Sequence, residues 1–490
     1  MIVLEINLPD NFLWIANMAY IALIIGLIIL IIFEKRTPLK TISWIMVVAL
    51  VPVVGALFYI FFGQLYRKRK MFSRKGLKGL EKIRQLTLEQ LKLIKEEASD
   101  IETAEVFNNK HVVQLLLSNS LSPVTSDNKL EILRNGHQKF KSLFEAIESA
   151  SKHIHLEYYI IDDDTIGNQF RNLLIRKAKE GVEVRLIYDD VGCWSLPNSY
   201  LCSLKEAGVK LHCFMRVRLP QFTSKVNYRN HRKIAVIDGD TAFVGGINIA
   251  DRYIQGISKL GEWRDTHLKI IGGAATMLQV QFMADWYFVS KEILSIKNYF
   301  KPLSRRRDRQ AVQILAGGPD SDWDTINQFY FAAISAAREH IYIATPYLIP
   351  TVEVATALKI AALAKVDVRI LLPETGDAII PKWSTFSYID ELLEAGVKIY
   401  LYQPGFVHSK LIMVDSKLSS VGTANFDFRS LETNFEINAV IHDEECTLEL
   451  ERQFLDDLSK SEKLSLQEWE KRPKSYKVKE SLSRIFSPLL

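Results

Sequence analysis

NHRKIAVIDGDTAFVGGINIADRY (Asn230–Tyr253) and HSKLIMVDSKLSSVGTANFDFRS (His408–Ser430) are two versions of one pattern. Each carries His-x-Lys-x4-Asp: His231, Lys233 and Asp238 in the first, His408, Lys410 and Asp415 in the second. Each then runs through Gly-Gly or Gly-Thr and one further residue to an asparagine, Asn248 or Asn425. One such pattern arises easily by chance, but two at matched places argue for a duplicated site.

The flanks repeat as well. EAIESASKHIHLEYYII (Glu145–Ile161) parallels AAISAAREHIYIATPYLI (Ala332–Ile349), and KEGVEVRLIYDD (Lys179–Asp190) parallels AKVDVRILLPE (Ala364–Glu374). LKEAGVKLHCF (Leu204–Phe214) matches LLEAGVKIYLY (Leu392–Tyr402). Each unit reads helix, strand, helix, strand, which implies two α/β halves with parallel or mixed sheets, packed face to face. The expected halves are 131–300 and 311–490, joined by the basic segment NYFKPLSRRRDRQ (Asn298–Gln310).

The apolar run after each His-x-Lys predicts a strand, and in a strand residues two apart share a face. His231 and Lys233 therefore project together, as do His408 and Lys410. Asp238 and Asp415 fall at odd spacing and are expected to point away and fix strand and turn. Lysines and asparagine amides supply charge and donors for phosphate oxygens, here Lys233, Lys410, Asn248 and Asn425. One histidine can attack phosphorus while the other protonates the departing alkoxide, with no metal required. Each imidazole needs an acceptor on its remote nitrogen. Asp265 in EWRDTHLKI is expected to orient His231, and Glu436 in NFEINAVI to orient His408.

Two uncharged apolar runs precede all this, Phe12–Phe33 and Thr41–Phe62. Each exceeds the ~20 residues that a helix needs to cross a bilayer, so residues 1–66 are expected to form a transmembrane hairpin. Pro52 and Gly55 in the second run are tolerated in membrane helices. Arg67–Arg84 holds nine basic residues against the single acid Glu81, and the loop Glu34–Lys40 holds three. That balance predicts both hairpin ends, and the body, on the cytoplasmic side. RKRKMFSRKGLK (Arg67–Lys78) suits an anionic membrane surface, and residues 67–130 read as a basic juxtamembrane and helical linker.

A chain of 490 residues with 48% apolar content and net charge +5 can bury a large core, and its totals do not point to nucleic acid. Cys193, Cys202, Cys213 and Cys446 show neither zinc spacing nor a disulfide pattern, and are expected to be reduced core residues.

RNHRKI (Arg229–Ile234), VGGINI (Val244–Ile249), GFVHSKLIMVD (Gly405–Asp415), VGTANFDFRS (Val421–Ser430) and NFE (Asn434–Glu436) resemble the signatures of bacterial cardiolipin synthases in the phospholipase D superfamily. The resemblance runs from Phe12 onward and implies two phospholipase D-type halves behind a membrane anchor, on a bacterial inner membrane. It implies a transferase that uses phosphatidylglycerol and membrane lipids, without cofactor or metal and without nucleic acid as a partner. It also implies a phosphatidyl-histidine intermediate on His231, with His408 as acid and base. A phospholipase D hydrolase or a phosphatidylserine synthase would use the same residues. A nuclease leaves the two apolar spans unexplained, and a non-catalytic scaffold would show degenerate motifs.

Overall fold

The computed structural model describes residues 10–34, 38–51, 55–56, 59, 80–95, 109–217, 227–295, 299 and 309–487. The chain divides into one unit of residues 1–73 with 217–226 and a second of residues 74–216 with 227–490.

In the first unit a 24-residue helix, Asp10–Phe33, is followed by the helix Pro38–Leu50. Leu27 and Ile31 pack with Val48, Ala56 and Tyr59, and Trp44 meets the Tyr59 ring edge-on at 5.4 Å. Only part of the first helix's side chains are among the described residues, and among the described residues no helix is long and apolar enough to cross a membrane. Most of the expected second span beyond Val51, and the basic stretch Arg67–Lys78, lie outside the described residues.

The second unit is built on one sheet. Its first half comprises β1 (Thr125–Arg134), β2 (His153–Tyr158), β3 (Glu183–Asp189), β4 (Lys210–Phe214), β5 (Ile234–Ile237), β6 (Thr241–Gly245) and β7 (Thr266–Ile271). The second half comprises β8 (Gln310–Gly317), β9 (His340–Ala344), β10 (Asp367–Pro373), β11 (Lys398–Tyr402), β12 (Leu411–Val414), β13 (Leu418–Gly422) and β14 (Glu436–His442), with β15 (Ser461–Lys463) beyond β11. The order is β4-β3-β2-β5-β6-β7-β1-β8-β14-β13-β12-β9-β10-β11-β15. Read outward from the centre, both halves have the same topology. β2, β3 and β4 run parallel, as do β9, β10 and β11, and the remaining pairs are antiparallel.

The halves join edge to edge through antiparallel β1 and β8, with Thr125 opposite Val312 and Asn128 opposite Gln310. This corrects the face-to-face expectation. Two unpaired edges would leave rows of N–H and C=O groups exposed, and pairing them makes one continuous sheet. β1 also begins at Thr125, ahead of the boundary expected at 131.

Helices cover both faces, which is why strands such as IAVI and LIMV are buried along their whole length. One core lies under the helices Asn135–Glu148 and Thr165–Lys179, and its counterpart under Thr325–Ala336 and Val352–Leu363. A third core on the opposite face runs across both halves, from Ile234 and Leu268 to Ile437 and Met413. Cys193 and Cys446 are buried as expected, whereas Cys202 is exposed on the short helix Asn198–Glu206.

Candidate active site

β5 and β12 each start directly after a His-x-Lys, so both motifs sit in extended chain at the end of the sheet where the halves meet. Their backbones are clamped by the opposite half. His231 N–H donates to the Phe435 carbonyl at 2.9 Å, and His408 N–H donates to the Arg264 carbonyl at 2.7 Å. The short strands Glu262–Arg264 and Gly405–Val407 pair in parallel at the second clamp, and Asn230 bridges Phe435 at the first.

Phe435 and Arg264 immediately precede Glu436 and Asp265, so each clamp delivers a carboxylate from one half to the histidine of the other. His231 Nδ1 lies 2.9 Å from both oxygens of Glu436, and His408 Nδ1 lies 2.7 Å from Asp265 Oδ2. The expected pairing within each half is thus corrected to a crossed one. With Nδ1–H donated to a carboxylate, each ring turns its Nε2 lone pair to the cavity.

The lysines also differ from expectation. Lys233 donates to its own motif's His231 carbonyl at 2.6 Å, and Lys410 donates to the His408 carbonyl in the same way. Both are buried behind the histidines, and neither lines the cavity. An ammonium has three donors, so these bonds leave capacity toward a ligand. Asp238 and Asp415 do point away. Asp238 accepts from the N–H groups of Ser151, Lys152 and His153 and from the Ser151 hydroxyl, and Asp415 accepts from the N–H groups of Arg338, Glu339 and His340.

Burial sets the resting charges, and it pulls His231 down to about 4 and His408 well below the usual imidazole value, so both rings are neutral. Burial likewise lowers Lys233 to about 7 and Lys410 to about 8. The two carboxylates part company. Burial pushes Asp265 up to about 6 against the pull of Lys410 and the Thr266 N–H. Glu436 is equally buried, yet His231, Lys233 and the Thr423 hydroxyl outweigh burial and hold it below the usual range. The Thr423 hydroxyl donates at 2.5 Å and the Ser430 hydroxyl at 2.9 Å. The first half has Gly246 where the second has Thr423, so no such hydroxyl reaches Asp265.

A cavity of about 320 Å3 opens between the histidines. Asn248 and Asn425 both line it, together with Arg229, Arg252 and Arg429 and the aromatic residues Tyr159, Tyr253, Trp263 and Tyr347. Tyr159 packs against His231 at 5.1 Å and Trp263 against His408 at 5.1 Å, fixing the rings from the side. Arg232, fully buried, chelates Asp285 and donates to the Glu436 and Gly317 carbonyls, tying the first motif into the second half. Thr423 and Ser430 were missed by sequence reasoning, as were the cavity carboxylates Asp377 and Asp427. The one signal for Thr423, Asp427 and Ser430 was position inside the second motif, and Asp377 had none. Among the described residues no group of His, Cys, Asp or Glu side chains is arranged to hold a metal ion.

Residues 143–260 and 330–458, which contain the two motifs, match the family described as "Cardiolipin synthase, PLD-like domain", and residues 21–64 match "Phospholipase_D-nuclease N-terminal". The chain is 42% identical over 476 residues to a cardiolipin synthase of Geobacillus sp. (strain WCH70), covering 97% of this chain and 92% of that protein. It is 42% identical over 473 residues to cardiolipin synthase 2 of Bacillus cereus (strain ATCC 14579), covering 96% and 90%. In fold it is similar to the crystal structure of phosphatidylserine synthase from Haemophilus influenzae Rd KW20, with a TM-score of 0.60 at 16% identity, covering 78% of this chain and 99% of that one. Two halves of one topology, each carrying a complete His-x-Lys-x4-Asp motif, and relatives of this identity along nearly the whole length place the chain in the bacterial cardiolipin synthase family of the phospholipase D superfamily.

Proposed function

We propose that the enzyme joins two phosphatidylglycerol molecules into cardiolipin and releases glycerol by double displacement on His231. The observation that carries this reading is the crossed clamp: two neutral imidazoles, each held at Nδ1 by a carboxylate of the other half, open onto one cavity.

In the first step His231 Nε2 attacks phosphorus, the bond from phosphorus to the glycerol oxygen breaks, and that oxygen takes a proton from His408 Nε2. In the second, His408 removes the proton from a hydroxyl of another phosphatidylglycerol. The new oxygen attacks phosphorus and the P–N bond breaks. Burial first, then Lys410 and Lys233, depress His408, and the bound phosphodiester anion offsets the two lysines and so favours the protonated ring. The unequal carboxylates support the same division of labour. Glu436 stays anionic beside the positively charged phosphatidyl-imidazole, and Asp265, at about 6, suits a histidine that cycles its proton.

Membrane association fits this substrate. The first helix, Asp10–Phe33, turns apolar side chains outward. Trp14, Met18, Ile21, Leu23, Ile25, Ile29, Ile32 and Phe33 are all exposed on it. We read residues 1–66 as a transmembrane hairpin, the residues from 67 up to β1 as a linker, and the two halves as cytoplasmic, at the inner face of the cell membrane. The anchor keeps the site where alcohol acceptors are lipids, which favours transfer over hydrolysis.

The test is conversion of labelled phosphatidylglycerol in liposomes by the full chain, without nucleotide and with a chelator present. Cardiolipin and glycerol should form in equal amounts. Phosphatidic acid as the main product would make the enzyme a hydrolase, and a requirement for CTP or a divalent metal would overturn the mechanism.

A further inference from the structure

The two walls of the cavity are chemically unequal. On the first-half wall both polar atoms of Asn248 have a partner: its Oδ1 accepts from the Ile160 N–H at 3.1 Å and its Nδ2 donates to the Tyr253 hydroxyl at 2.6 Å. Arg229 and Arg252 stand on that wall too. The second-half wall carries Asn425, Asp427, Asp377 and Tyr347, with Arg429 and Asn434 beside them. Asn425 donates its Nδ2 to Asp427 Oδ2 at 3.0 Å, and its Oδ1 is buried with no hydrogen-bond partner among the described residues. Asn425 as a whole is only 6% exposed. The Tyr347 phenol donates to Asp377 Oδ2 at 2.6 Å, which fixes that exposed carboxylate at the edge of the cavity.

Apart from Arg429 and Asn434, the polar side chains that Asn425, Asp427 and Asp377 bring to this wall present acceptors. Two carboxylates and an amide oxygen would repel a phosphodiester unless the ligand brings its own donors to them, and an unmatched buried acceptor is costly. A glycerol headgroup brings two free hydroxyls. We propose that Asp377, Asp427 and Asn425 Oδ1 form a polyol subsite that holds the headgroup glycerol on the His408 side of the phosphorus. His408 belongs to the same half, so the oxygen it protonates and the hydroxyls that these residues bind belong to one glycerol. Ordinary alcohols lack the second and third hydroxyls and forgo the subsite. An ammonium headgroup would also satisfy the acceptors, but Arg229, Arg252 and Arg429 line the same cavity and Lys233 and Lys410 lie behind it, and together they disfavour a cation.

The inference rests on the phosphatidylglycerol reading, and its test separates the two. Full-length enzyme in liposomes is given a labelled phosphatidyl donor with glycerol, ethanol and ethanolamine as competing acceptors. The wild type should prefer glycerol to ethanol by at least ~10-fold, the scale of matched against unmatched buried polar groups. Asp377→Asn should lower that preference about 10-fold, and Tyr347→Phe, which only frees the carboxylate, by a smaller factor. The readout is a ratio within one preparation, so partial misfolding cancels. An unchanged ratio in both variants overturns the subsite, and a wild-type preference for ethanolamine makes it an ammonium site instead. No cardiolipin from the wild type alone would sink the parent reading while leaving the acceptor ratio measurable.

Discussion

Glu436, at the start of β14, places both carboxylate oxygens 2.9 Å from Nδ1 of His231 in the other half. The mirror contact joins Asp265 to His408. Neither half contains a complete acid, base and orienting group, so the duplication yields one site and not two.

The crossing predicts which step each carboxylate serves. Glu436→Gln can present its amide N–H to Nδ1 and so protonate Nε2, removing the nucleophile's lone pair. Formation of phosphatidyl-enzyme should slow by about 10²–10⁴-fold even from a substrate with an aryl leaving group. Asp265→Asn should leave that aryl reaction largely intact and slow turnover of phosphatidylglycerol instead. Rapid-quench labelling compares the two. The opposite assignment would mean that each half orients its own histidine in solution.

The pH profile of kcat/KM should be a bell. As pH falls through about 6, burial-raised Asp265 takes a proton and stops accepting Nδ1–H of His408, so activity is lost on the acid side. As pH rises through about 7 to 8, Lys233 and Lys410, lowered by burial, lose the charge that attracts the phosphodiester. Asp265→Asn should erase the limb near 6 and spare the alkaline one. An acid limb that survives in this variant would assign it to another group.

Much of this was legible in the chain. The duplicated helix–strand units fixed both halves, because alternating periodicities are local signals, and the twin motifs located the site. The pairing of Asp265 and Glu436 was not legible. It depends on which backbone each motif docks against, here Phe435 and Arg264, and such long-range register leaves no mark in local sequence. The edge-to-edge junction was hidden for the same reason, since β1 and β8 read as ordinary strands. Asp377 lay unread because nothing local separates a cavity carboxylate from a surface one.

Asp238 and Asp415 should matter for stability more than for chemistry. Asp238 sits at φ 50° and satisfies three backbone N–H groups and a hydroxyl at the start of β2. Burial raises its carboxyl, but those bonds outweigh it and hold it below the usual value. A depressed folded pKa adds stability above the unfolded value of ~3.9, lost as pH falls through the folded one. Asp238→Ala should cost about 2–4 kcal/mol in denaturant unfolding at neutral pH, and the wild-type advantage should shrink toward pH 3. A cost independent of pH in the acid range would remove the carboxylate from this account.

Gly246 offers the sharpest separation of fold from catalysis. A Cβ added there would lie 2.4 Å from Asp265 Oδ1, 2.6 Å from Oδ2 and 2.8 Å from Cγ, distances that force a displacement. Asp265 cannot yield freely, because it is buried and bonded to His408 and to the Thr266 N–H at 2.8 Å. Gly246→Ala should therefore cost about 1–3 kcal/mol in overpacking and, more tellingly, break the Asp265–His408 contact. Phosphatidylglycerol turnover should fall at least ~10²-fold, as expected when general acid–base help is lost. His231 and Glu436 lie across the cavity and are untouched, so an aryl phosphatidyl donor should still label His231. Thr423→Ala, which removes a donor from Glu436 instead, should show the reverse pattern: its carboxylate pKa rises and the labelling step suffers first. Equal damage to both steps in both variants would mean that the two pairs do not act separately.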